Sequence, residues 1–589
     1  MFRWAIGTVG AASAHGAREQ LCREGGRVDD VVERAQVWCR HDPDLSTRAE
    51  LTALIDAARH GAEGALDDLS SRFSGPLEFG TAGLRGAVGA GESRMNIAVV
   101  TRASAGVAAF LREMVGDDAR VVVGCDARHG SDAFYDAAVG VFDGAGLDVV
   151  ALPRRLPTPV TAYATRALRC DAGIMITASH NPPGDNGYKV YLGGRATDAA
   201  GRGVQIVPPA DARIAAHIRR AAPATDIPVT PAGTVPTESG AVADSYVERA
   251  AALRTATAPA SIRVVLTPMH GVGGHTAIRV LRRAGVPDVH VVPTQFEPDP
   301  DFPTVGFPNP EEPGALDAAV AVATQVAADV LIALDPDADR CAVAVPRRDG
   351  SWRQLTGDEL GALLGEQAAT DPTRLGDTLA CSIVSSRLLG RIAAHHGLRS
   401  VVTLTGFKWI ARVPDLRFGY EEAIGYCTDP SAVRDKDGIG TMIRVVTLVE
   451  RAKELGRTLD DLLDDLARRH GLHATAPLSF RMSDPADIAA TMDRLRVTGI
   501  GRLTGARVVE TTDLAHGSAT LPPTDGLILL TDADDRVIIR PSGTEPKLKC
   551  YLEVVAPCTG DVVPHAAARD RLDELRRDVS AAVCGTIEG

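Results

Sequence analysis

The sequence predicts an α/β protein: several mostly parallel sheets, then a C-terminal α+β unit. Three observations predict it. Apolar runs of strand length alternate with Ala- and Leu-rich runs of helical spacing along most of the chain, the pattern of repeated α/β units. After about residue 470 the texture changes to strands near turns and one closing helix. The 589 residues hold about four domains of ordinary size.

Taken in order, the first 26 residues pass only poorly for a signal peptide, because the basic region is Arg3 alone and glycines interrupt the apolar core. They read as a disordered extension or an early start codon. Val121–Cys125 is a strand that leads into Asp126-Ala127-Arg128, and Ala172–Ile176 leads into Thr177. Ile262–Leu266 leads into Thr267-Pro268-Met269-His270-Gly271, and Ile278–Arg283 has helical spacing. Val330–Leu334 is a further strand, Leu360–Ala368 a helix, and Val401–Leu404 a strand running into Thr405-Gly406. Leu527–Leu530 and Val537–Ile539 form a hairpin whose tip, Thr531 to Arg536, reads as an acidic solvated turn. Lys547–Val554 is a strand, and Arg569–Val583 an amphipathic closing helix. Six prolines mark Pro208–Pro236 as a connecting segment, and Pro293–Pro313 is a second Pro-rich stretch, long for a loop inside a domain.

Composition sets limits. With 45% hydrophobic and 24% charged residues the chain is globular. A net charge of −13 argues against nonspecific binding to nucleic acid or acidic membranes. Ten cysteines without CxxC spacing read as reduced thiols, and the expected location is cytoplasmic. No apolar stretch is long enough to span a bilayer.

Four motifs carry chemistry. In Thr177-Ala178-Ser179-His180-Asn181-Pro182 a serine sits where a buried strand ends, on a loop, beside a histidine. A hydroxyl there is a nucleophile or a carrier of a transferable group. Asp335-Pro336-Asp337-Ala338-Asp339-Arg340 places three carboxylates at alternate loop positions, an oxygen-rich set suited to a hard divalent cation. It is no EF-hand, because the sixth and twelfth positions are Arg340 and Pro346. Gly419-Tyr420-Glu421-Glu422-Ala423-Ile424-Gly425 offers adjacent carboxylates to neighbouring hydroxyls. Arg540-Pro541-Ser542-Gly543-Thr544 combines a guanidinium, hydroxyls and a glycine that can cradle phosphate.

In this order the four motifs resemble the α-D-phosphohexomutase superfamily, from about Phe79 to Val554. Phe79-Gly80-Thr81-Ala82-Gly83-Leu84-Arg85-Gly86, Asn186-Gly187-Tyr188-Lys189-Val190, Thr405-Gly406-Phe407-Lys408-Trp409 and Arg434-Asp435-Lys436-Asp437-Gly438 add to the resemblance. They point to the longer branch, which includes phosphoglucomutase, phosphomannomutase and phosphopentomutase members. The resemblance implies four domains around a central cleft, three mixed α/β and one C-terminal α+β. The expected boundaries are an N-terminal extension over 1–40, then domains over 41–235, 236–352, 353–470 and 471–589.

It also implies a phosphosugar mutase that interconverts sugar 1-phosphate and 6-phosphate, glucose or mannose, through a bisphosphate intermediate. Ser179 would carry the phosphoryl group. Asp335, Asp337, Asp339 and the phosphorylated Ser179 would hold Mg2+, with a sugar 1,6-bisphosphate as activator. Lys189 is the first choice of base and His180 its rival, with Arg85 near the phosphoryl group. Arg340, Thr405, Gly406, Lys408, Glu421, Glu422 and Lys436 would bind the sugar, and Arg540, Ser542, Gly543 and Thr544 the phosphate that is not reacting. Ala423 stands where many members have serine, so glucose, mannose and pentose phosphates all stay open. The alternatives are a phosphopentomutase, a hexose 1,6-bisphosphate synthase, or a silent sugar-phosphate binding protein. A serine hydrolase is disfavoured, because Ser179 lacks a G-x-S-x-G setting. The only partner expected is a small sugar phosphate, with no nucleic acid and no membrane; the oligomeric state stays open.

Overall fold

The computed structural model describes residues 29–482, 484–518, 521–542 and 547–585. Two compact units make up the chain. The first runs to Arg155 and includes Arg169–Ala196 and Ile206–Ser239; the second is Leu156–Leu168, Thr197–Gln205 and everything from Gly240.

In the first unit, residues 29–41 are helical, and Val31, Val32 and Ala35 pack against the helices Leu45–Arg59 and Ala65–Arg72. The remaining residues of the expected extension, 1–28, lie outside the described residues. The main sheet has Ala172–Ile176 at its centre, parallel to Arg120–Cys125, which is in turn parallel to the edge strand Asp148–Ala151. Asp185–Leu192 returns antiparallel to Ala172–Ile176, and Leu84–Ala87 pairs antiparallel with it in turn. Helices Ile97–Met114 and Ser131–Gly144 contribute much of the apolar cluster around the sheet. This is why Val121–Val123 and Ala172–Ile176 read as unbroken apolar runs: both faces are buried. The Pro-rich 208–236 segment lies on this unit, where Thr230 N donates to Gly140 O.

The second unit holds three sheets. In one, Val264–Thr267, Val289–Val291 and Val330–Leu334 are parallel, while Cys341–Pro346 and Trp352–Gln354 return antiparallel. In the next, Thr378–Ser382, Arg399–Thr403 and Leu416–Glu421 are parallel and Gly425–Cys427 antiparallel. The last is wholly antiparallel, ordered Leu472–Arg481, Lys547–Ala556, Arg536–Pro541, Leu527–Thr531, Ala506–Asp513, Arg502–Leu503. Helix His565–Cys584 packs Leu575 and Val579 against it. Three mixed sheets followed by an antiparallel one match the fold class that the sequence predicts. Thr356 and Glu359 form a capping box that starts helix Gly357–Thr370.

Two expectations are refined. The 531–536 turn is a hairpin tip, but Asp535 is buried there and accepts from Thr504 Oγ1 at 2.7 Å and Arg571 Nη2 at 2.8 Å. The 293–313 stretch is ordered: Thr304 Oγ1 lies 2.8 Å from His270 Nε2, and Asp299 N donates to His270 O. Among the described residues no helix is long and apolar enough to cross a membrane, and the cysteines are free thiols.

The antiparallel sheet is fastened to the one before it by the buried Glu553. Its carboxylate accepts from Ser386 Oγ at 2.8 Å, Arg387 N at 2.9 Å and Arg387 Nε at 2.7 Å, and pairs with Arg536 Nε at 3.2 Å. Burial alone would raise its pKa, but Arg536, His473 and Arg387 hold it far below the ordinary value. Glu553→Ala removes the carboxylate that Arg387 and Arg536 share and is expected to lose about 3 kcal/mol of stability near neutral pH. The stabilisation is full above the ordinary glutamate value of 4.5 and is lost as pH falls below it. Urea unfolding of both proteins from pH 7 downwards should show the gap closing below that value; a gap that is constant or absent refutes the account.

Candidate active site

In the first unit, the strand Ala172–Ile176 ends at Thr177, whose Oγ1 accepts from Ser179 N at 2.9 Å. That bond helps hold Ser179 at a φ of 53°, a left-handed conformation rare outside glycine. Ser179 Oγ lies 3.2 Å from His180 Nδ1. Arg85 Nη1 donates to Asn181 Oδ1 at 3.1 Å, and Asn181 Nδ2 donates to Asp185 Oδ2 at 2.9 Å. Lys189, buried, stands opposite Met175 on the returning strand, and Arg85 opposite Gly187. Ser179, His180, Lys189 and Arg85 therefore share one region of one sheet.

The loop has a clamp that sequence reasoning passed over. The buried Arg128 guanidinium donates to the carbonyls of Ser179 at 2.7 Å, Asn181 at 2.6 Å, Pro182 at 2.8 Å and Asp185 at 3.1 Å. Asp126 Oδ2 lies 3.7 Å from Arg128 Nε, and its Oδ1 accepts from Arg128 N at 3.0 Å and Ser131 Oγ at 2.5 Å. Burial pushes the Asp126 carboxyl up, against the pull of Arg128. The available signal was a charged Asp-Ala-Arg immediately after a buried strand.

In the second unit, Val330–Leu334 runs directly into the aspartate loop. Asp335, Asp337 and Asp339 are buried, and each offers an oxygen within 4.8 Å of the others. Arg340 N donates to Asp335 Oδ1 at 3.0 Å, and Thr158 Oγ1 to Asp337 Oδ2 at 2.6 Å. Lys436 Nζ pairs with Asp339 Oδ2 at 3.2 Å. Burial, then repulsion from Asp337 and Asp339, drives the Asp335 carboxyl well above the ordinary range. Three converging hard oxygens that repel one another fit a divalent cation such as Mg2+. Thr158 gave no sequence signal, since it lies 179 residues from its partner.

The glutamate pair sits on the adjoining hairpin. Ile424 O accepts from Cys341 N, and Arg340 bridges to Gly425, so this hairpin and the aspartate loop are joined through backbone bonds. A Cβ on Gly425 would stand 2.4 Å from Lys436 Cδ, so glycine lets the lysine pass. Ser382 and Ser385 both donate to Glu422 Oε2 at 3.0 Å. Burial, then Glu421 and Asp358, push the Glu422 carboxyl up to about 7. For Lys436, burial opposes the charge, but Asp339, Asp435 and Glu421 prevail and hold its pKa above the usual lysine value.

Lys436 Nζ also lies 5.6 Å from the centre of the Phe407 ring, which places Thr405, Gly406 and Lys408 beside this cluster. Gly406, at a φ of 104°, precedes the short helix Phe407–Ile410. Arg540 lies on Arg536–Pro541 opposite Lys549, and Ser542 N donates to Lys547 O at 2.8 Å. Gly543 and Thr544 lie outside the described residues. The groups of the second unit suit a hard cation, an anion and a polyhydroxyl compound, and the first unit holds one buried, conformationally strained serine.

Four domains of one family match the chain, described as “Phosphoglucomutase/phosphomannomutase”: alpha/beta/alpha domains I, II and III over 76–224, 244–350 and 356–470, and the C-terminal domain over 504–557. A “Probable phosphomannomutase” of Haemophilus influenzae is 44% identical over 462 residues, 78% of this chain and 93% of that protein. A “Phosphopentomutase” of Homo sapiens is 33% identical over 583 residues, 91% of this chain and 92% of its own. A solved phosphoglucomutase/phosphomannomutase family protein from Burkholderia thailandensis shares the fold, with TM-score 0.64, 22% identity, and coverage of 86% of this chain and 97% of that one.

Two outcomes follow from the geometry. Arg128→Met should release the serine loop, so that amides over 179–185 exchange about tenfold faster or more in hydrogen-exchange mass spectrometry; unchanged exchange removes the clamp. Mg2+ at about 100 times its dissociation constant should stabilise the protein by about 2.7 kcal/mol. Asp337→Asn should abolish most of that gain in thermal unfolding, and an equal gain in the variant would take the cation away from these aspartates.

Proposed function

The chain belongs to the phosphoglucomutase/phosphomannomutase family, and from that premise we propose that it moves a phosphoryl group between the 1- and 6-hydroxyls of a hexose, mannose or glucose. The observation that carries the reading is Ser179: a strained hydroxyl 3.2 Å from an imidazole, on a loop clamped by a buried guanidinium. A scaffold that holds a nucleophile this firmly suits repeated loading and unloading of one group.

In the proposed cycle Ser179 carries the phosphoryl group. The free hydroxyl of a sugar monophosphate attacks the phosphorus, the P–O bond to Ser179 breaks, and the hydroxyl proton passes to a base. The sugar bisphosphate then presents its other phosphate, and that phosphoryl group returns to Ser179 by the reverse transfer. A sugar 1,6-bisphosphate loads the unphosphorylated enzyme in the same way.

Asp335, Asp337 and Asp339, together with an oxygen of phosphorylated Ser179, are the proposed Mg2+ ligands. When bound, Mg2+ neutralises charge on the phosphoryl oxygens. Arg85 faces the transferring group, Glu421 and Glu422 accept from ring hydroxyls, and Arg340, Thr405, Gly406, Lys408 and Lys436 steer the sugar and its oxygens. Arg540, Ser542, Gly543 and Thr544 hold the resting phosphate. Lys189 is the proposed base. His180 is the second reading, favoured by its contact with Ser179 Oγ.

Conversion of mannose 1-phosphate, glucose 1-phosphate and ribose 1-phosphate, side by side with Mg2+ and a trace of glucose 1,6-bisphosphate, tests the reading. Hexose turnover supports it. Turnover of ribose 1-phosphate alone moves the protein to the phosphopentomutase alternative, and no turnover at all leaves a binding protein. Ser179→Ala should lower kcat by roughly 10³-fold or more while leaving the unfolding midpoint in place. Near-normal turnover in that variant refutes the phosphoserine.

A further inference from the structure

A cavity of about 640 Å³ lies in the second unit. Six arginines line it: Arg166, Arg249, Arg374, Arg417, Arg434 and Arg444. Its lining carboxylates are Asp415 and Asp429. Asp429 is engaged by Arg249, at 2.6 and 2.9 Å, and the exposed Asp415 by Arg399 at 3.0 Å. Arg417 is satisfied by the carbonyls of Gly376 at 2.7 Å and Arg374 at 3.0 Å. A large excess of positive charge therefore faces the cavity.

Two of these guanidinium groups are buried with little to hold them. The Arg374 side chain is 6% exposed and that of Arg444 10%. They share one carboxylate, Asp371, at 3.8 and 3.5 Å, too far for strong bonds. Arg374 Nε and Nη2 and Arg444 Nε have no hydrogen-bond partner among the described residues. Buried N–H groups left this way cost free energy unless something occupies the space they face. Burial, then repulsion from Arg444, pushes the Arg374 pKa down to about 9.

The charge has two foci. Arg374 and Arg444 form one. The other gathers at Ser431, where Arg249 Nη2 donates to Oγ at 2.7 Å and Arg166 Nη2 to the carbonyl at 3.2 Å. The lining also has Thr255 and Thr373 and the apolar Leu253 and Leu375. We propose that this cavity binds an organic molecule carrying two phosphate groups, one at each focus, with its carbon frame against the leucines. Guanidinium forks suit phosphate oxygens, and the volume suits a metabolite rather than a lone ion. Arg417 in the lining and Glu421 of the candidate active site are four residues apart on one strand, about 13 Å, while Arg434 in the lining is two residues from Lys436. The proposal does not rest on the mutase reading.

The test is calorimetric titration of the full-length protein with ADP, fructose 1,6-bisphosphate and pyrophosphate, with sulfate as control. Arg374→Met should weaken at least about tenfold a bisphosphate-binding event that persists in Arg540→Ala, a variant that removes only binding at the candidate active site. Preference for fructose 1,6-bisphosphate supports the site; preference for ADP or pyrophosphate, whose two phosphates share one bridging oxygen, overturns the two-focus arrangement. Sulfate binding as tight as the bisphosphates means an adventitious anion only, and overturns the proposal. So does binding lost in Arg540→Ala but kept in Arg374→Met, or no binding up to about 1 mM. If Arg374→Met fails to fold, hydrogen exchange of the wild-type protein decides: a bound bisphosphate should slow exchange over 371–376 and 428–434, and unchanged rates there refute the site.

Discussion

The constraint on which the rest depends is a reversal of direction. In three sheets a parallel strand ends and the chain turns back at once as its antiparallel neighbour: Ile176 to Asp185, Leu334 to Cys341, Glu421 to Gly425. Side chains pack both faces of these strands, so the turn must be made at the strand end. Each turn uses one non-glycine residue at positive φ: Ser179 at 53°, Ala338 at 56° and Ile424 at 51°. Such a conformation costs of order 1 kcal/mol or more and persists only where neighbours impose it. Here the neighbours are the Thr177 hydroxyl, the Arg128 guanidinium and the paired return strands. The polar motifs sit at these turns because strand ends are where the sheet leaves backbone and side chains free for chemistry.

The backbone device of the Ser179 loop occurs a second time without the reactive side chain. Thr267 Oγ1 accepts from Met269 N at 3.0 Å, and Met269 has a φ of 49°, as Thr177 and Ser179 do. A histidine follows in both loops. His180 meets a hydroxyl nucleophile, whereas His270 is tied to Thr304. Local geometry therefore supplies the mount, and the residue at the third position decides whether the mount carries chemistry.

Electrostatics divides the molecule in another way. Where buried charges are fully matched, as Glu553 is by Arg387 and Arg536, they join one sheet to the next. Where they are left in excess of one sign, as with the three aspartates or the Arg374 and Arg444 pair, the surroundings must supply the opposite charge. The first pattern is structural; the second suits a ligand of opposite charge.

Much of this was legible in the sequence. Apolar runs announced the buried strands at 121–125, 172–176 and 330–334, and the turn residues after them announced the serine and aspartate loops. The change to antiparallel pairing after about residue 470 was also readable from short strands with turns between them. These signals are local: periodicity and turn chemistry act over a few residues. What only tertiary structure decided is which distant groups meet. Arg128 reaches carbonyls more than 50 residues away, Thr158 holds an aspartate 179 residues away, and Asp535 is buried by a helix rather than solvated at its hairpin tip. The six arginines of the cavity lie from residue 166 to 444, and no spacing rule connects them. A guanidinium or a hydroxyl carries no mark of its partner, because that choice is made by how the sheets and helices pack.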